Sequence, residues 1–213
     1  MHAADKFIAY DDVAFIKQGW INRNRILLNN QPHLFTVPLT NASSNSLISQ
    51  TKLDNRSDWR SKLLKTMKQA YLRAPQYKLV MPVMEEVLLD ATDSISELAV
   101  NSIEAVVNYI GLKVEIKRSS EEYANSQLRA EARVVDICRQ ENAGRYVNAI
   151  GGRELYSKEN FASSGIELRF IQSRIESYPQ FTEPFTPYLS IIDALMFNTP
   201  EEVAALTAQY ELV

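Results

Sequence analysis

Cysteine and histidine are scarce in this chain, long apolar runs are missing, and neither sign of charge dominates. The single cysteine, Cys138, excludes an internal disulfide and favours a reducing compartment, so the expectation is a cytoplasmic protein. Only His2 and His33 are present, with no Cys/His cluster, which argues against a structural zinc site. A Ser-His-Asp or Cys-His mechanism would rest on His33 alone, in a polar turn before Leu34. Asp, Glu, Lys or Tyr must then supply any acid or base. No stretch reaches the apolar length of a membrane span, and the N-terminus does not read as a signal peptide. A net charge of -3, with both signs mixed along the chain, gives no sign of a nucleic-acid partner.

What remains is 213 residues with 46% apolar content, enough to bury a sizeable core, read as one α/β domain over 1–213 with a helical insertion at about 57–110. Residues 6–13 read as a strand buried on both faces. Segments 20–28 and 33–39 flank Asn29-Asn30-Gln31-Pro32 and predict a hairpin. Asn41 to Ser49 reads as an exposed loop. Trp59, Leu63, Leu64, Met67 and Tyr71 recur at helical spacing behind Ser57, a natural N-cap. A short helix is expected at 83–90. A longer one runs from 95 to 110, capped by Ser94 and ended by Gly111.

From Gly111 the pattern alternates: strand at 114–116, helix 126–141, strand 146–150, helix near 153–162, strand 166–171. Two C-terminal helices follow, near 188–197 and 200–209. The alternation predicts a mostly parallel sheet flanked by helices, Rossmann-like, with right-handed crossovers. Ligands of such sheets bind beyond the carboxyl ends of the strands. Here those ends are Asp11-Asp12, Lys117 to Ser120, Asn148 to Gly152, and Gln172, and a shared cleft built from them is the expectation.

The richest segment for recognition chemistry is Lys17-Gln18-Gly19-Trp20-Ile21-Asn22-Arg23-Asn24-Arg25, just after Asp11-Asp12. Guanidinium forks suit carboxylate and phosphate, and side-chain amides suit sugar hydroxyls. In an extended segment Asn22 and Asn24 share one face while Arg23 and Arg25 share the other. Lys17, Asn22, Arg23, Asn24 and Arg25 are therefore candidate substrate-binding residues. Asp11 and Asp12 are candidate bases or metal ligands, against the plainer reading that they end a strand and pair with Lys17 or Arg23. Ile150-Gly151-Gly152-Arg153 follows a strand and opens a helix, so Gly151, Gly152 and the neighbouring Asn148 could lie against a phosphate. It is neither a P-loop nor a GxGxxG fingerprint.

Other features have plainer readings. Ser119-Ser120 reads as a helix cap before it reads as a phosphate site. Cys138 reads as a core thiol. Asp193, inside an apolar helix, needs a partner if buried and is expected to anchor an arginine. Trp59 with Arg60 could form a stacking platform, although Trp59 stands where a core anchor belongs.

Four blocks carry a family resemblance: Asp5-Lys6-Phe7 with Tyr10-Asp11-Asp12-Val13, Lys17 to Ile26, Tyr146 to Gly152, and Leu189 to Asn198. Their order and spacing are similar to the WbqC-like family over essentially the whole chain. The resemblance implies a place in bacterial surface polysaccharide biosynthesis, O-antigen and lipopolysaccharide included. With polar groups converging at the predicted strand ends, the activity expected in that pathway is that of a transferase or ligase acting on a nucleotide-linked amino sugar. The alternative is a non-catalytic protein that binds a sugar nucleotide or a pathway partner. It would take a small-molecule sugar nucleotide or activated donor, with Mg²⁺ the one candidate cofactor and a homo-oligomer possible. Family members begin with a strand and turn of the type Gln-Pro-Tyr-Phe-Pro-x-x-Gly-Tyr-Phe. This sequence starts at Met1-His2-Ala3-Ala4 instead, so a gap or an open sheet edge is expected where that strand would lie.

Overall fold

Backbone hydrogen bonding along the 213 residues, all described by a computed structural model, produces short strands and short-to-medium helices. In chain order the strands are β1 (Lys6–Ile8), β2 (Arg23–Leu28), β3 (Gln31–Thr36), β4 (Leu39–Thr40), β5 (Lys52–Leu53), β6 (Glu115–Lys117), β7 (Arg145–Ala149), β8 (Glu167–Ser173) and β9 (Tyr210–Leu212). The helices are α1 (Trp59–Tyr71), α2 (Tyr77–Leu89), α3 (Ile95–Tyr109), α4 (Ala130–Gln140), α5 (Lys158–Ala162), α6 (Ile191–Phe197) and α7 (Pro200–Thr207). Single 3₁₀ segments cover Ser120–Tyr123 and Ile150–Leu155. No helix is long and apolar enough to cross a membrane.

The chain divides into two compact units. One is assembled from residues 1–10, 114–175 and 207–213; the other comprises 11–113 and 176–206. In the first, β1 pairs in parallel with β6, and β7–β8–β9 form a three-stranded sheet. Within that sheet β7–β8 is parallel and β8–β9 antiparallel. The fold is therefore mixed α/β with several small sheets. The strand–helix alternation after Gly111 does yield parallel pairs, but they do not add up to one large parallel sheet. Its core joins Val134, Val135 and Cys138 of α4 to Phe161, Ile166, Leu168 and Phe170. Tyr146 stacks on Phe161 with ring centroids 5.4 Å apart.

In the second unit α1, α2 and α3 carry most of the buried apolar surface, and Ile26 and Leu27 of the β2–β3 hairpin join it. The hairpin register runs from Arg23 opposite Thr36 to Leu28 opposite Gln31, so the loop is Asn29-Asn30 alone. Both residues have positive φ, 51° and 61°. That is the geometry of a type I′ turn, and asparagine tolerates it better than most residues.

Several helix limits match the sequence signals. Ser94 Oγ accepts the Glu97 amide at the start of α3, and Gly111 follows its end with φ +69°. Others moved. The N-cap of α1 is Asp58, not Ser57. Helix α2 begins six residues before the expected 83 and runs through Pro82, because Val80, Met81, Met84, Val87 and Leu88 all bury their side chains. The strand expected over 6–13 stops at Ile8, and the chain bends at residues 12–13. The helix expected near 153–162 splits, with Ser157 capping α5. The last helix ends at Thr207, and Tyr210 enters strand β9 instead.

Candidate functional site

A tight turn prepares the most polar face of the second unit. The Gly19 amide donates to the Ile16 carbonyl at 3.1 Å, closing a turn in which Gln18 has φ 61°. A Cβ on Gly19 would stand 3.0 Å from that same carbonyl oxygen, so the position has little room for a side chain. The next residue, Trp20, is left 59% exposed. Two guanidiniums settle against its ring: Arg25 Cζ lies 4.9 Å from the ring centroid and Arg23 Cζ 5.9 Å. Strand alternation places both arginines on one side of β2, as the sequence predicted, and Trp20 is the surface on which they converge.

The two arginines are held differently. Arg23 Nε donates to the Gly19 carbonyl at 3.0 Å, which fixes the head group but leaves its terminal nitrogens. Arg25 is exposed, and its guanidinium is held by the indole. Lys17, also exposed, stands on the same turn.

The amides of this segment take up hydrogen bonds within the hairpin. Asn22 Nδ2 donates to the Val37 carbonyl at 2.9 Å, and the Val37 amide returns a bond to the Asn22 carbonyl at 2.8 Å, locking the open end of the hairpin. Asn24 Oδ1 accepts the amide of Arg25 at 2.9 Å.

Asp11 and Asp12 are both buried. Asp11 Oδ2 accepts from Ser96 Oγ at 2.6 Å, at the first turn of α3, where a negative charge is favoured by the helix dipole. The Asp11 carbonyl also accepts the Ser49 amide. Asp11 therefore anchors a helix start. No group of three or more His, Cys, Asp or Glu side chains is placed to hold a metal ion.

Asn148, Gly151 and Gly152 belong to the first unit. Asn148 Oδ1 accepts the Ala149 amide at 2.8 Å. Gly152 lies under the Asn148 amide, where a Cβ would come within 2.6 Å of Nδ2. Gly151 faces open space. Ser119 caps the 3₁₀ segment that follows, accepting the Glu121 amide at 3.1 Å.

The least expected cluster surrounds Asp193, which is fully buried. Its carboxylate accepts from Tyr71 Oη at 2.8 Å, Tyr178 Oη at 2.9 Å and Gln180 Nε2 at 2.7 Å. The expected arginine is replaced by two phenols and an amide. Burial pushes Asp193 above the ordinary aspartate range, an effect the three donors oppose. Burial, then the neighbouring Asp193 charge, pushes both phenols up, so they remain protonated donors. Gln180 Oε1 also accepts the Thr186 amide at 2.8 Å, tying the chain between Tyr178 and Thr186 to the carboxylate. The Ser190 amide donates to the Arg25 carbonyl at 2.7 Å, so this segment also supports the strand that carries the exposed arginine.

Trp59 takes the place of a core anchor, as its position in the helix led us to expect. Trp59 is buried in the core, and Arg60 Cζ stacks 4.5 Å from the ring centroid. Trp20, on which Arg23 and Arg25 converge, is not among the candidate residues read from the sequence. Its signal was an aromatic placed three and five residues before two arginines in an extended segment.

Comparison with known proteins adds lineage to this geometry. The profile of the WbqC-like protein family matches residues 1–205. A Mycobacterium tuberculosis protein described as "Uncharacterized protein Rv1507c" is 26% identical over 201 residues, covering 93% of this chain and 85% of that protein. No solved structure matches.

Proposed function

The chain belongs to the WbqC-like protein family, and from that premise we propose that it binds a nucleotide-linked amino sugar in bacterial surface polysaccharide biosynthesis. The observation that carries this reading is the exposed Trp20 ring flanked by Arg23 and Arg25. An indole face stacks on a nucleobase or a sugar ring, a contact worth about 1–3 kcal/mol for a base. Guanidiniums beside it meet the charged oxygens of a diphosphate. Lys17 adds a point charge on the same turn. Such donors are cytoplasmic molecules, and the reading places the protein with them.

Group transfer or ligation onto the amino sugar is the second reading. What favours it is Asp12, a second carboxylate in the segment that leads into the Trp20 turn. Asp11, already bonded to Ser96, serves the helix start in either reading.

Thermal unfolding with UDP-N-acetylglucosamine, with and without Mg²⁺, tests the proposal. A ligand at 100 times its Kd stabilises by about 2.7 kcal/mol, well within detection. Wild type should shift and Arg25→Ala should not, while the unliganded melting temperatures of the two agree. An equal shift in both proteins would remove the Trp20 face from the reading. Turnover of the sugar nucleotide would establish the transferase reading, and saturable binding without turnover the binding one.

A further inference from the structure

The Trp20 face has a composition that a soluble ligand alone does not call for. Near Trp20 in the same turn and hairpin, Ile16 is 67% exposed and Leu34 46% exposed. Ile16 lies against Gly19, the residue before Trp20; its Cβ and Cγ2 are each 3.4 Å from where a Gly19 Cβ would stand. Leu34 is the hairpin partner of Arg25 and so projects to the same side of the ribbon. Around these three apolar groups stand Lys17, Arg23 and Arg25, all cationic, in a protein whose net charge is -3.

Isolated exposed apolar residues are ordinary on a protein surface; a contiguous apolar group ringed by cations marks an interaction site. Tryptophan favours the boundary between headgroups and acyl chains, where its ring is apolar and its N–H stays wet. Lysine and arginine near an anionic leaflet gain from its negative surface potential. The molecule as a whole is acidic and would be repelled by that potential, so attraction must come from a local basic face presented in one orientation.

We propose that the Trp20 face docks on an anionic membrane surface, with Ile16, Trp20 and Leu34 entering the headgroup layer and Lys17, Arg23 and Arg25 meeting lipid phosphates. This deepens the ligand reading above and rests on its assignment of the two arginines to phosphate. It adds that the same cations also meet the phosphates of a lipid leaflet when the face lies on a membrane. The attachment is peripheral, made by side chains of one turn and one hairpin. Each cation contributes about a fivefold gain in partitioning.

The test is co-sedimentation of the full chain with vesicles of pure phosphatidylcholine and of an equimolar phosphatidylcholine–phosphatidylglycerol mixture. Tryptophan emission is followed in parallel. Of the two tryptophans, Trp59 is buried and Trp20 exposed, so a blue shift on adding vesicles reports Trp20. The expected result is binding to the mixed vesicles alone, with a blue shift and release at high salt. Ile16→Ser and Trp20→Ala should weaken binding, and Arg25→Ala should weaken it about fivefold. Absence of binding to the anionic vesicles, or binding that Ile16→Ser and Arg25→Ala leave unchanged, would overturn the proposal. Ile16→Ser separates the two readings, because it should keep the wild-type thermal shift with UDP-N-acetylglucosamine while losing vesicle binding. A chain that shows the thermal shift but never sediments retains its soluble ligand and refutes docking. One that sediments as expected without a thermal shift refutes the sugar-nucleotide ligand alone.

Discussion

Tyr71 Oη and Asp193 Oδ1 lie 2.8 Å apart across 122 residues of sequence, and the same phenol accepts the Leu27 amide at 2.9 Å. One hydroxyl thus satisfies a buried carboxylate in α6 and a backbone N–H on the free edge of β2. An unpaired group at either place would carry a desolvation cost.

Tyr71→Phe keeps the ring contacts and removes only the oxygen. It strands the Leu27 N–H and takes one donor from Asp193. The expected cost is about 2–3 kcal/mol, read as a lower urea midpoint at unchanged slope. A loss below about half a kcal/mol would show that the edge of β2 finds another acceptor.

Asp193 should make stability depend on pH in the direction opposite to a salt-bridged aspartate. Its native value is raised, with burial the principal cause. The stabilisation is therefore complete below the ordinary aspartate range, about 4, and is lost as pH rises through the raised native value. Wild type measured against Asp193→Asn should lose ground as pH climbs from that range. A gap that widens with rising pH would mean that the native carboxylate is held below the ordinary range.

Two adjacent glycines should respond oppositely to alanine. At Gly152 the new Cβ would meet Asn148 Nδ2 at 2.6 Å, forcing the amide to shift, at a cost of about 1 kcal/mol or more. At Gly151 nothing lies within 4 Å, and restricting the unfolded chain should gain about 0.4–1 kcal/mol. Chemical denaturation of the two variants decides the point, and matching effects would refute it.

The Asn29-Asn30 turn should discriminate between small residues. Asn30→Gly suits φ 61° and should be neutral or slightly stabilising, whereas Asn30→Ala should cost about 1–2 kcal/mol. Differential scanning calorimetry of the pair would show it, and equal melting temperatures would argue against a rigid I′ geometry.

Cys138 should be silent to thiol reagents in the native state. Burial raises its thiol to about 11 and removes access. Labelling by Ellman's reagent at mild alkaline pH should await unfolding of the first unit. Rapid native labelling would place the thiol at the surface.

Much of the local structure was legible because local rules govern it. Ser94 and Gly111 punctuate α3, Asn29-Asn30 closes a hairpin, and Cys138 sits on an apolar helix face. Each signal lies within a turn or two of its effect. What escaped depends on partners distant in sequence. Pro82 argued against a helix that core burial of its neighbours sustains. Tyr210 continued a helical pattern by spacing, yet a place beside Ser173 in the sheet overrode it. The site divided in the same way. Arg23 and Arg25 share a side by alternation alone, whereas the tasks of Asn22 and Asp11 follow from Val37 and Ser96, which nothing nearby announces.

The unit holding β1 is discontinuous, and this gives its maturation a timetable. Strand β1 emerges from the ribosome before its partner β6, which starts only at Glu115. Residues 11–113 come between, and β9 completes the other sheet only from Tyr210 onward. The intervening helices can collapse on one another while β1 waits, and a collapsed excursion brings its ends together at less entropic cost than a slack one. A nascent chain arrested before residue 115 would thus carry helices already packed and an N-terminal strand still without its mate.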